Sequence, residues 1–425
     1  MTPHEQNQLL TRTGPGTPTG NLLRRYWIPA LLADEVPEPD CPPVRVKLLS
    51  ERLLAFRDTQ GKVGIIDEFC AHRGVSLWFG RNEENGLRCS YHGWKYDVGG
   101  QCVEIPSEPV ESGFCKKIRL KSYPCVELGD VIWAYMGPTE LKPPLPAFEW
   151  ARVPHAHRFV TKRMQDCNYL QAMEGGIDSA HVSFLHRHEL RSDSLHVGKG
   201  AELTRETDAR FEVVETRGGM VVAVRRPAPN GQLYWRITQW IMPFHTMIPP
   251  YGDNALNGHA WVPIDDESCM AWCFTHHPTR TLTPHELEVM RNGGGIHVKL
   301  IPGSFRPMVN KDNDYMIDRD AQRANKTYCG VAGIAMQDAA IQESMGPIQD
   351  RSKENLVSTD NGVIMARIRL RKAVLAAEQG REPDGLDPAT HAVRSASIVL
   401  PQDASFIEAA TAALNVREGV AHTSV

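Results

Sequence analysis

Two short loops, each carrying one cysteine and one histidine, constrain this chain more than any other feature of its sequence. The first loop is Cys70-Ala-His72-Arg-Gly, and the second is Cys89-Ser-Tyr-His92-Gly-Trp. Two thiolates and two imidazoles can hold a tetrahedral zinc ion. They can also hold a [2Fe-2S] cluster in which one iron binds both cysteines and the other binds both histidines. The loops therefore predict a metal centre of one of these two kinds.

The spacing of the four ligands favours the iron–sulfur cluster. Zinc sites usually pair cysteine with cysteine and histidine with histidine, whereas each loop here holds a mixed pair. A mixed pair on each of two loops lets both loops contribute to both irons. Gly74 and Gly93 follow the ligands and allow backbone amides to approach the bridging sulfides. Structural zinc stays open as the alternative.

A second cluster of histidines and carboxylates lies further along the chain. Two histidines and one carboxylate form the facial triad that leaves iron positions open for O2 and substrate. His181 and His186 are five residues apart, which is about 140° around a regular helix, so a straight helix cannot present both to one metal. We expect the helix to end or bulge between them. Asp178 lies three residues before His181 and shares a helix face with it.

Both patterns resemble those of the Rieske non-haem iron ring-hydroxylating oxygenases. The string Glu174-x3-Asp178-x2-His181-x4-His186 is similar to that family's mononuclear iron motif. Respiratory Rieske proteins carry an additional cysteine in each loop, where this chain has Val75 and Tyr91, and this favours the oxygenase class. The resemblance implies a [2Fe-2S] cluster and a mononuclear Fe(II), held by these residues: Cys70, His72, Cys89 and His92 for the cluster, and His181 and His186 for the Fe(II).

The resemblance also implies a third iron ligand and a role for Asp178. In the family the carboxylate ligand is a distant aspartate that opens a helix, and the best match here is Asp338, with Glu343 as the alternative. A charge that merely stabilises a helix N-terminus is the competing interpretation of Asp338. Asp178 matches the family's bridging aspartate, which links an iron-site histidine to a Rieske histidine of a neighbouring subunit. The family therefore implies a homotrimer or a stacked pair of trimers, a hexamer.

The chain looks most similar to the phthalate 4,5-dioxygenase group, which implies that O2 is used to cis-dihydroxylate an aromatic carboxylate such as phthalate or chlorobenzoate. Such a substrate requires an arginine in the pocket, because a guanidinium pairs with a carboxylate in bidentate fashion. Arg210 and Arg236 are the candidates. The alternatives are a monooxygenase or O-demethylase of a related acid and, from a different class, an electron carrier or zinc-binding module.

Composition bears on partners and compartment. No dinucleotide fingerprint or flavin motif is recognisable, so electrons should come from a separate NAD(P)H-dependent reductase of the flavin/ferredoxin type. A net charge of -4 gives no footprint for nucleic acid or an anionic membrane. The polar N-terminus does not look like a secretory signal, and ten cysteines are too sparse for a disulfide scaffold. We therefore expect a cytoplasmic protein.

The pattern of apolar runs and turn residues predicts an α+β fold in three parts. Residues 1–41 are expected to be a helical segment packing on the catalytic domain, and residues 42–146 an antiparallel β Rieske domain. Residues 147–425 are expected to form a helix-grip-like catalytic domain with an antiparallel sheet and covering helices. The predicted helices are Glu5–Arg12, Leu22–Trp27, Tyr169–His181 and Asn361–Gln379.

Overall fold

A computed structural model of the chain describes residues 1–196, 198–422 and 424–425. These residues form two compact units. The larger unit contains Met1–Thr13, Thr17–Leu22 and Pro144–Val425, and the smaller unit contains Gly14–Gly16 and Leu23–Pro143.

The smaller unit consists of three small antiparallel sheets. Their strand orders are β1-β11-β10, β2-β3-β4-β9 and β5-β6-β7-β8. The strands are β1 (Trp27–Leu32), β2 (Val44–Leu48), β3 (Glu51–Arg57), β4 (Val63–Asp67), β5 (Arg81–Glu83), β6 (Gly86–Arg88), β7 (Lys95–Tyr96), β8 (Cys102–Glu104), β9 (Ser122–Tyr123), β10 (Cys125–Leu128) and β11 (Val131–Tyr135).

The core of the smaller unit extends beneath the two metal loops. Leu54, Phe56 and Ile66 from the β2–β4 region pack in one buried cluster with Cys70 and Cys89. Buried apolar side chains of β3 and β4 therefore pack with the ligand cysteines of both loops. The predicted antiparallel β domain is therefore confirmed.

The predicted N-terminal segment 1–41 is divided between the units. Its helices belong largely to the larger unit, but Trp27–Leu32 is a strand paired with Val131–Tyr135 in the smaller unit. The helix expected over Leu22–Trp27 is instead Pro18–Leu23. Trp27 and Ile28 are buried, so pairing this apolar run with β11 covers side chains that one turn of helix would leave exposed.

The larger unit is built on an eight-stranded antiparallel sheet. Its order is β12-β18-β17-β16-β15-β14-β13, and β19 pairs with the first part of β15. The strands are β12 (Arg158–Gln165), β13 (Arg210–Glu215), β14 (Gly219–Pro227), β15 (Gln232–Ile241), β16 (His245–Ile248), β17 (Leu256–Pro263), β18 (Cys269–His276) and β19 (Ala396–Pro401).

Helices surround this sheet, as expected for an α+β fold. Among the described residues, no helix has both the length and the apolar character that crossing a membrane requires. The helices are α1 (Pro3–Thr11), α2 (Pro18–Leu23), α3 (Glu149–Arg152), α4 (Tyr169–Ile177), α5 (Glu189–Ser192), α6 (Lys199–Thr204), α7 (Pro284–Arg291), α8 (Arg319–Arg323), α9 (Ile334–Glu343), α10 (Asn361–Glu378) and α11 (Phe406–Leu414).

Helix α4 begins where the sequence predicts but ends four residues earlier. The Asn168 side chain caps its first turn by accepting the Leu170 N–H at 3.0 Å. Asp178 ends it in an extended conformation and accepts the Ala180 N–H at 2.7 Å. An aspartate that binds the backbone ahead of it competes with helix continuation, so His181 starts a separate 3-10 turn.

Candidate functional site

The two metal loops of the smaller unit share one backbone design. The Cys70 N–H donates to the Val75 carbonyl at 2.9 Å, and the Cys89 N–H donates to the Trp94 carbonyl at 2.8 Å. In each loop the glycine four residues after the cysteine donates back to the cysteine carbonyl. These glycines have φ values of 71° and 76°, a left-handed conformation that disfavours other residues. The same turn therefore holds the cysteine and histidine of each loop.

The four predicted cluster ligands divide into a buried pair and an exposed pair. Cys70 and Cys89 are each 3% exposed, and burial together with the neighbouring Cys89 thiol raises the pKa of Cys70. His72 and His92 are exposed, with ring centroids 4.5 Å apart. Cysteine therefore meets cysteine and histidine meets histidine, which is the division that a two-iron cluster requires.

The same geometry does not suit one zinc ion. Some sets of three or more potential ligand atoms lie within 4.8 Å of one another among the described residues. These four side chains do not belong to such a set. The indole of Trp94 stacks on His72 with centroids 4.6 Å apart, and the Tyr96 hydroxyl lies 3.2 Å from the Cys70 sulfur. These neighbours fix one histidine ring and one sulfur, as the surroundings of metal ligands commonly do.

In the larger unit, His181, His186 and Asp338 form a compact triad. One ligand atom from each lies within 4.8 Å of the others. The Asp338 Oδ1 is 3.1 Å from His186 Nε2 and 3.5 Å from His181 Nε2. Helix α4 ends before the two histidines, and both imidazoles face helix α9, which carries the aspartate. The structure thus brings together the two histidines and the aspartate predicted from the sequence.

The far side of each imidazole is held by an acceptor. His181 Nδ1 donates to Asp178 Oδ2 at 2.9 Å, and His186 Nδ1 donates to Gln337 Oε1 at 2.7 Å. The Gln337 amide is oriented because its Nε2 donates to Glu189 Oε1 and to a backbone carbonyl. In its neutral form each imidazole would therefore carry its proton on Nδ1 and present the lone pair of Nε2.

Three electron-pair donors consequently converge on one point. In that neutral tautomer both Nε2 atoms and the Asp338 carboxylate are electron-pair donors, and a cation bound between them would satisfy all three. Burial raises the pKa of Asp338, but His186 and then His181 outweigh it and lower the pKa to about 2. Two imidazoles and one carboxylate match the donor set of a facial-triad iron site.

The alternative carboxylate has a different environment. The Tyr315 hydroxyl donates to Glu343 Oε2 at 2.5 Å, and the Asp166 N–H donates to Glu343 Oε1 at 3.1 Å. Glu343 is not among the three grouped ligands, whereas Asp338 is. The interpretation of Asp338 as a helix N-terminal charge is wrong, because the first turn of α9 contains no acidic residue.

Glu174, the first residue of the motif string, supports the site from behind. It is 7% exposed and forms ion pairs with Arg351 at 3.1 Å and with Arg367 at 2.7 Å. Burial raises the pKa of Glu174, but these two cations lower it overall. The pairing attaches the last turn of α4 to the rest of the larger unit, and the iron-site histidines follow directly.

A cavity opens beside the triad, which forms part of its wall. Most of the other walls are apolar or aromatic, which suits a planar organic ligand. Burial lowers the pKa of one wall residue, His259, to about 3, so this imidazole is neutral. Besides the triad and Asp178, the wall contains Val182, Leu190, His196, Arg236, Ile248, Tyr251, His259, Trp261, Ile296 and Ile334.

Of the two arginines predicted to bind substrate, the structure brings only Arg236 to the cavity. Arg236 lies in β15, is 6% exposed and donates to Ser179 Oγ at 2.5 Å. Arg210 lies on β13 at the edge of the sheet, with its side chain 72% exposed and 3.4 Å from Asp208. The expectation for Arg210 is therefore corrected, since an edge-strand side chain facing solvent does not line the cavity.

Arg236 has a second buried arginine beside it. Arg226 is fully buried and donates to the Ser179 carbonyl at 3.0 Å. Burial, and then the charge of Arg236, lowers the pKa of Arg226 to about 10. Among the described residues neither guanidinium forms an ion pair with a carboxylate, and Arg236 Nε and Arg226 Nη1 have no hydrogen-bond partner. The guanidinium of Arg236 in the cavity wall therefore has no direct carboxylate partner.

Sequence reasoning missed several residues of this site. Gln337 was not predicted, although its position next to Asp338 lets one helix turn contact His186 on both ring nitrogens. Arg226, His196 and His259 gave no signal, because their approach to the iron ligands depends on tertiary packing of strands and loops.

Comparison with known proteins places both units in described families. Residues 26–124 match the Rieske [2Fe-2S] domain, and residues 134–416 match the family described as LigXa C-terminal domain like. The 3-chlorobenzoate-3,4-dioxygenase oxygenase subunit of Comamonas testosteroni is 38% identical over 403 residues, which are 91% of this chain and 92% of that protein. The phthalate 4,5-dioxygenase oxygenase subunit of Pseudomonas putida is 40% identical over 402 residues, which are 91% of this chain and 89% of that protein.

A solved structure shares the fold. The crystal structure of dicamba monooxygenase bound to dicamba aligns with a TM-score of 0.59 and 19% sequence identity, covering 84% of this chain and 99% of that chain. At this identity the likeness concerns the fold alone.

Proposed function

We infer that this chain, which belongs to the Rieske non-haem iron oxygenases, is the oxygenase subunit of a ring-hydroxylating dioxygenase for an aromatic carboxylate. The observation that carries the substrate class is the buried Arg236, whose charge faces the iron-site cavity without a carboxylate partner. An anionic substrate supplies the missing counter-charge, and a substrate without charge leaves it uncompensated.

The residues of the larger unit divide the work of the reaction. We propose that His181, His186 and Asp338 hold the mononuclear iron, which supplies activation of O2 when bound. Asp178 and Gln337 keep the two imidazoles in the tautomer that presents Nε2. The apolar cavity walls orient the ring and exclude water from the reacting carbons.

The smaller unit serves as the entry point for electrons. We propose that Cys70, His72, Cys89 and His92 hold the [2Fe-2S] cluster, with its histidine side exposed where a redox partner can approach. Electrons from NAD(P)H reach it through separate electron-transfer proteins of the flavin and ferredoxin type. A cytoplasmic location suits a chain whose ten cysteines form no disulfide in the structure.

We propose that the chain assembles as a head-to-tail homotrimer, alone or as stacked trimers. Around the exposed histidines of the smaller unit, Tyr91 is 53% exposed and Phe114 is 41% exposed. A separate apolar surface of the larger unit borders Asp178, where Ile341 is 43% exposed and Met345 is 44% exposed. Exposed apolar patches of this kind support association, and here they would set a Rieske histidine of one subunit beside Asp178 of the next. Sedimentation velocity of the purified protein distinguishes monomer, trimer and hexamer.

A substrate panel with labelled oxygen tests the proposed reaction. The purified oxygenase is supplied with a reductase and NADH, and phthalate isomers, halobenzoates and their neutral amides are compared. We expect turnover of a carboxylate and both atoms of labelled O2 in one cis-diol product. One labelled atom, or release of formaldehyde from a methoxybenzoate, identifies instead the monooxygenase or O-demethylase, a distinction that fold likeness does not make. Consumption of amides in preference to acids contradicts the proposed substrate class.

A further inference from the structure

Two cysteines that are not cluster ligands lie side by side in the smaller unit. The Sγ atoms of Cys102 and Cys115 are 3.6 Å apart. Cys102 is in β8 and is 2% exposed, whereas Cys115 is half-buried and opens a 3-10 turn, Cys115–Lys117. Both are free thiols. Nothing in the proposed oxygenase reaction uses either of them.

The backbone around this pair is fixed by several hydrogen bonds. The Cys102 N–H donates to the Ile118 carbonyl at 3.0 Å. The Gln101 side-chain amide donates to the carbonyls of Ile118 at 2.9 Å and Cys115 at 3.3 Å. The two sulfurs need to approach by only about 1.5 Å to reach bonding distance, a movement that side-chain rotation can supply. The turn therefore presents the two thiols to each other without a change of fold.

We propose that Cys102 and Cys115 form a redox site that hydrogen peroxide, the two-electron reduction product of O2, converts reversibly to a disulfide. The more accessible Cys115 sulfur attacks one peroxide oxygen, the O–O bond breaks, and a sulfenic acid and hydroxide result. The Cys102 sulfur then displaces hydroxide from Cys115 and forms the S–S bond. The two hydroxides take up the two thiol protons, so that two thiols and one peroxide give one disulfide and two waters.

The order of these steps follows from burial. Burial, and then the hydrogen bond with Cys115, raises the pKa of Cys102 to about 12, so Cys102 is a poor first nucleophile. Cys115 is the half-buried partner and meets solvent first. A small thiol such as glutathione reverses the bond by exchange, as is usual for disulfides in a reducing compartment.

The disulfide would close a loop that packs against the second cluster loop. Pro106 lies so close to Gly93 that a Cβ atom added there would be 2.9 Å from its Cγ. The Phe114 ring meets Trp94 edge-on at 6.3 Å, and Trp94 in turn stacks on His72. Joining the two ends of segment 102–115 would thus restrain the residues that cover one cluster ligand.

Peptide mapping of the holoprotein under non-reducing conditions tests the proposal. After treatment with hydrogen peroxide we expect a peptide cross-linked through Cys102 and Cys115, lighter by two hydrogen atoms than the two thiol peptides, and its loss on adding dithiothreitol. Cys115→Ser abolishes the cross-link. Cys125→Ser is the matched control, since Cys125 is a half-buried thiol of the same unit whose sulfur contacts the Val63 carbonyl at 3.0 Å, and it leaves the cross-link intact.

A second cysteine pair provides an internal control for burial. The Cys167 thiol beside it, and then burial, raises the pKa of Cys269, and both residues are fully buried. We expect this pair to stay reduced at peroxide doses that cross-link Cys102 and Cys115. Cluster absorbance, followed in parallel, reports whether the ligand cysteines are spared.

The proposal is overturned if wild-type protein with an intact cluster yields Cys102 and Cys115 in separate peptides, unmodified or over-oxidised, at doses that already oxidise Cys125. Because the wild-type map decides this point, failure of Cys115→Ser to fold does not leave it open. The assay measures thiols rather than turnover, so it is independent of the substrate proposed above.

Discussion

Replacing Arg236 by glutamine tests whether the buried guanidinium selects a carboxylate. The side chain is 6% exposed, so a substrate carboxylate reaching it would form a hydrogen bond to a charged group away from bulk water. Such a bond contributes about 1.5–3 kcal/mol. At about 1.4 kcal/mol for each tenfold change, its loss lowers kcat/KM for the carboxylate by about 10- to 150-fold. Arg236→Lys keeps the positive charge but loses the planar guanidinium. Its kcat/KM for the carboxylate should lie between the values of wild type and Arg236→Gln.

The assay compares the aromatic acid that turns over best with its neutral amide. We expect Arg236→Gln to lower kcat/KM for the acid and to leave the amide nearly unchanged, so that the preference for the acid disappears. Arg210→Gln is the matched control, because that arginine is on the same sheet but its side chain is 72% exposed at the edge. It should behave as wild type with both substrates.

A purely structural role for Arg236 has to be separated from substrate binding. Arg236 donates to Ser179 Oγ, next to the Asp178 that orients His181. Ser179→Ala removes that hydrogen bond and keeps the guanidinium, and iron content is measured for both variants. The reasoning fails if Arg236→Gln slows acid and amide equally, or if Ser179→Ala reproduces the loss of preference.

The remaining predictions concern the iron ligands and a buried ion pair. Asp338→Ala should remove mononuclear iron while leaving cluster absorbance unchanged, and iron analysis that finds full occupancy would rule it out as a ligand. Gln337→Leu removes the acceptor of His186 Nδ1 and should weaken iron binding by about 10- to 100-fold, as measured by chelator competition, with unchanged affinity arguing against this role. Burial raises the pKa of Glu149, but its bonds to Arg394 and His276 lower it to about 2, from an ordinary value of 4.5. Its contribution to stability is therefore present above pH 4.5 and is lost as the pH falls towards 2. Glu149→Gln leaves Arg394 buried without its charge partner and should cost about 3–5 kcal/mol at pH 7. Calorimetry should find that this difference from wild type shrinks below pH 4.5, and a difference independent of pH would contradict the assignment.

The cluster loops could be predicted from the sequence because all their determinants are local. The ligand pairs, the glycines with positive φ and the turns that join them lie within a few residues of each other. An end or bulge of the helix was predicted, but between His181 and His186, since two histidines five residues apart cannot share one face. The end of the helix at Ile177 was not predicted, because it depends on how the Asp178 carboxylate competes for backbone N–H groups.

Long-range partners were harder to predict. Asp338 is far from the histidines in the chain and was found only through resemblance to a family motif. Arg236 and Arg210 are both strand residues, and only the position of β13 at the sheet edge separates the exposed one from the buried one. Arg236 lies in the largely apolar run Leu-Tyr-Trp-Arg-Ile-Thr-Gln-Trp-Ile, a pattern that indicates a partly buried strand, and its side chain is buried. The uncompensated charge of Arg226 follows from the packing of three segments and has no sequence signal.

The two iron-site imidazoles differ in what stands behind them. His181 is backed by an anionic carboxylate, and His186 by a neutral amide. An imidazole whose N–H faces a negative charge is the more basic and the stronger electron donor. The two imidazoles would therefore be unequal electron donors to a bound iron, with His181 the stronger and His186 the weaker.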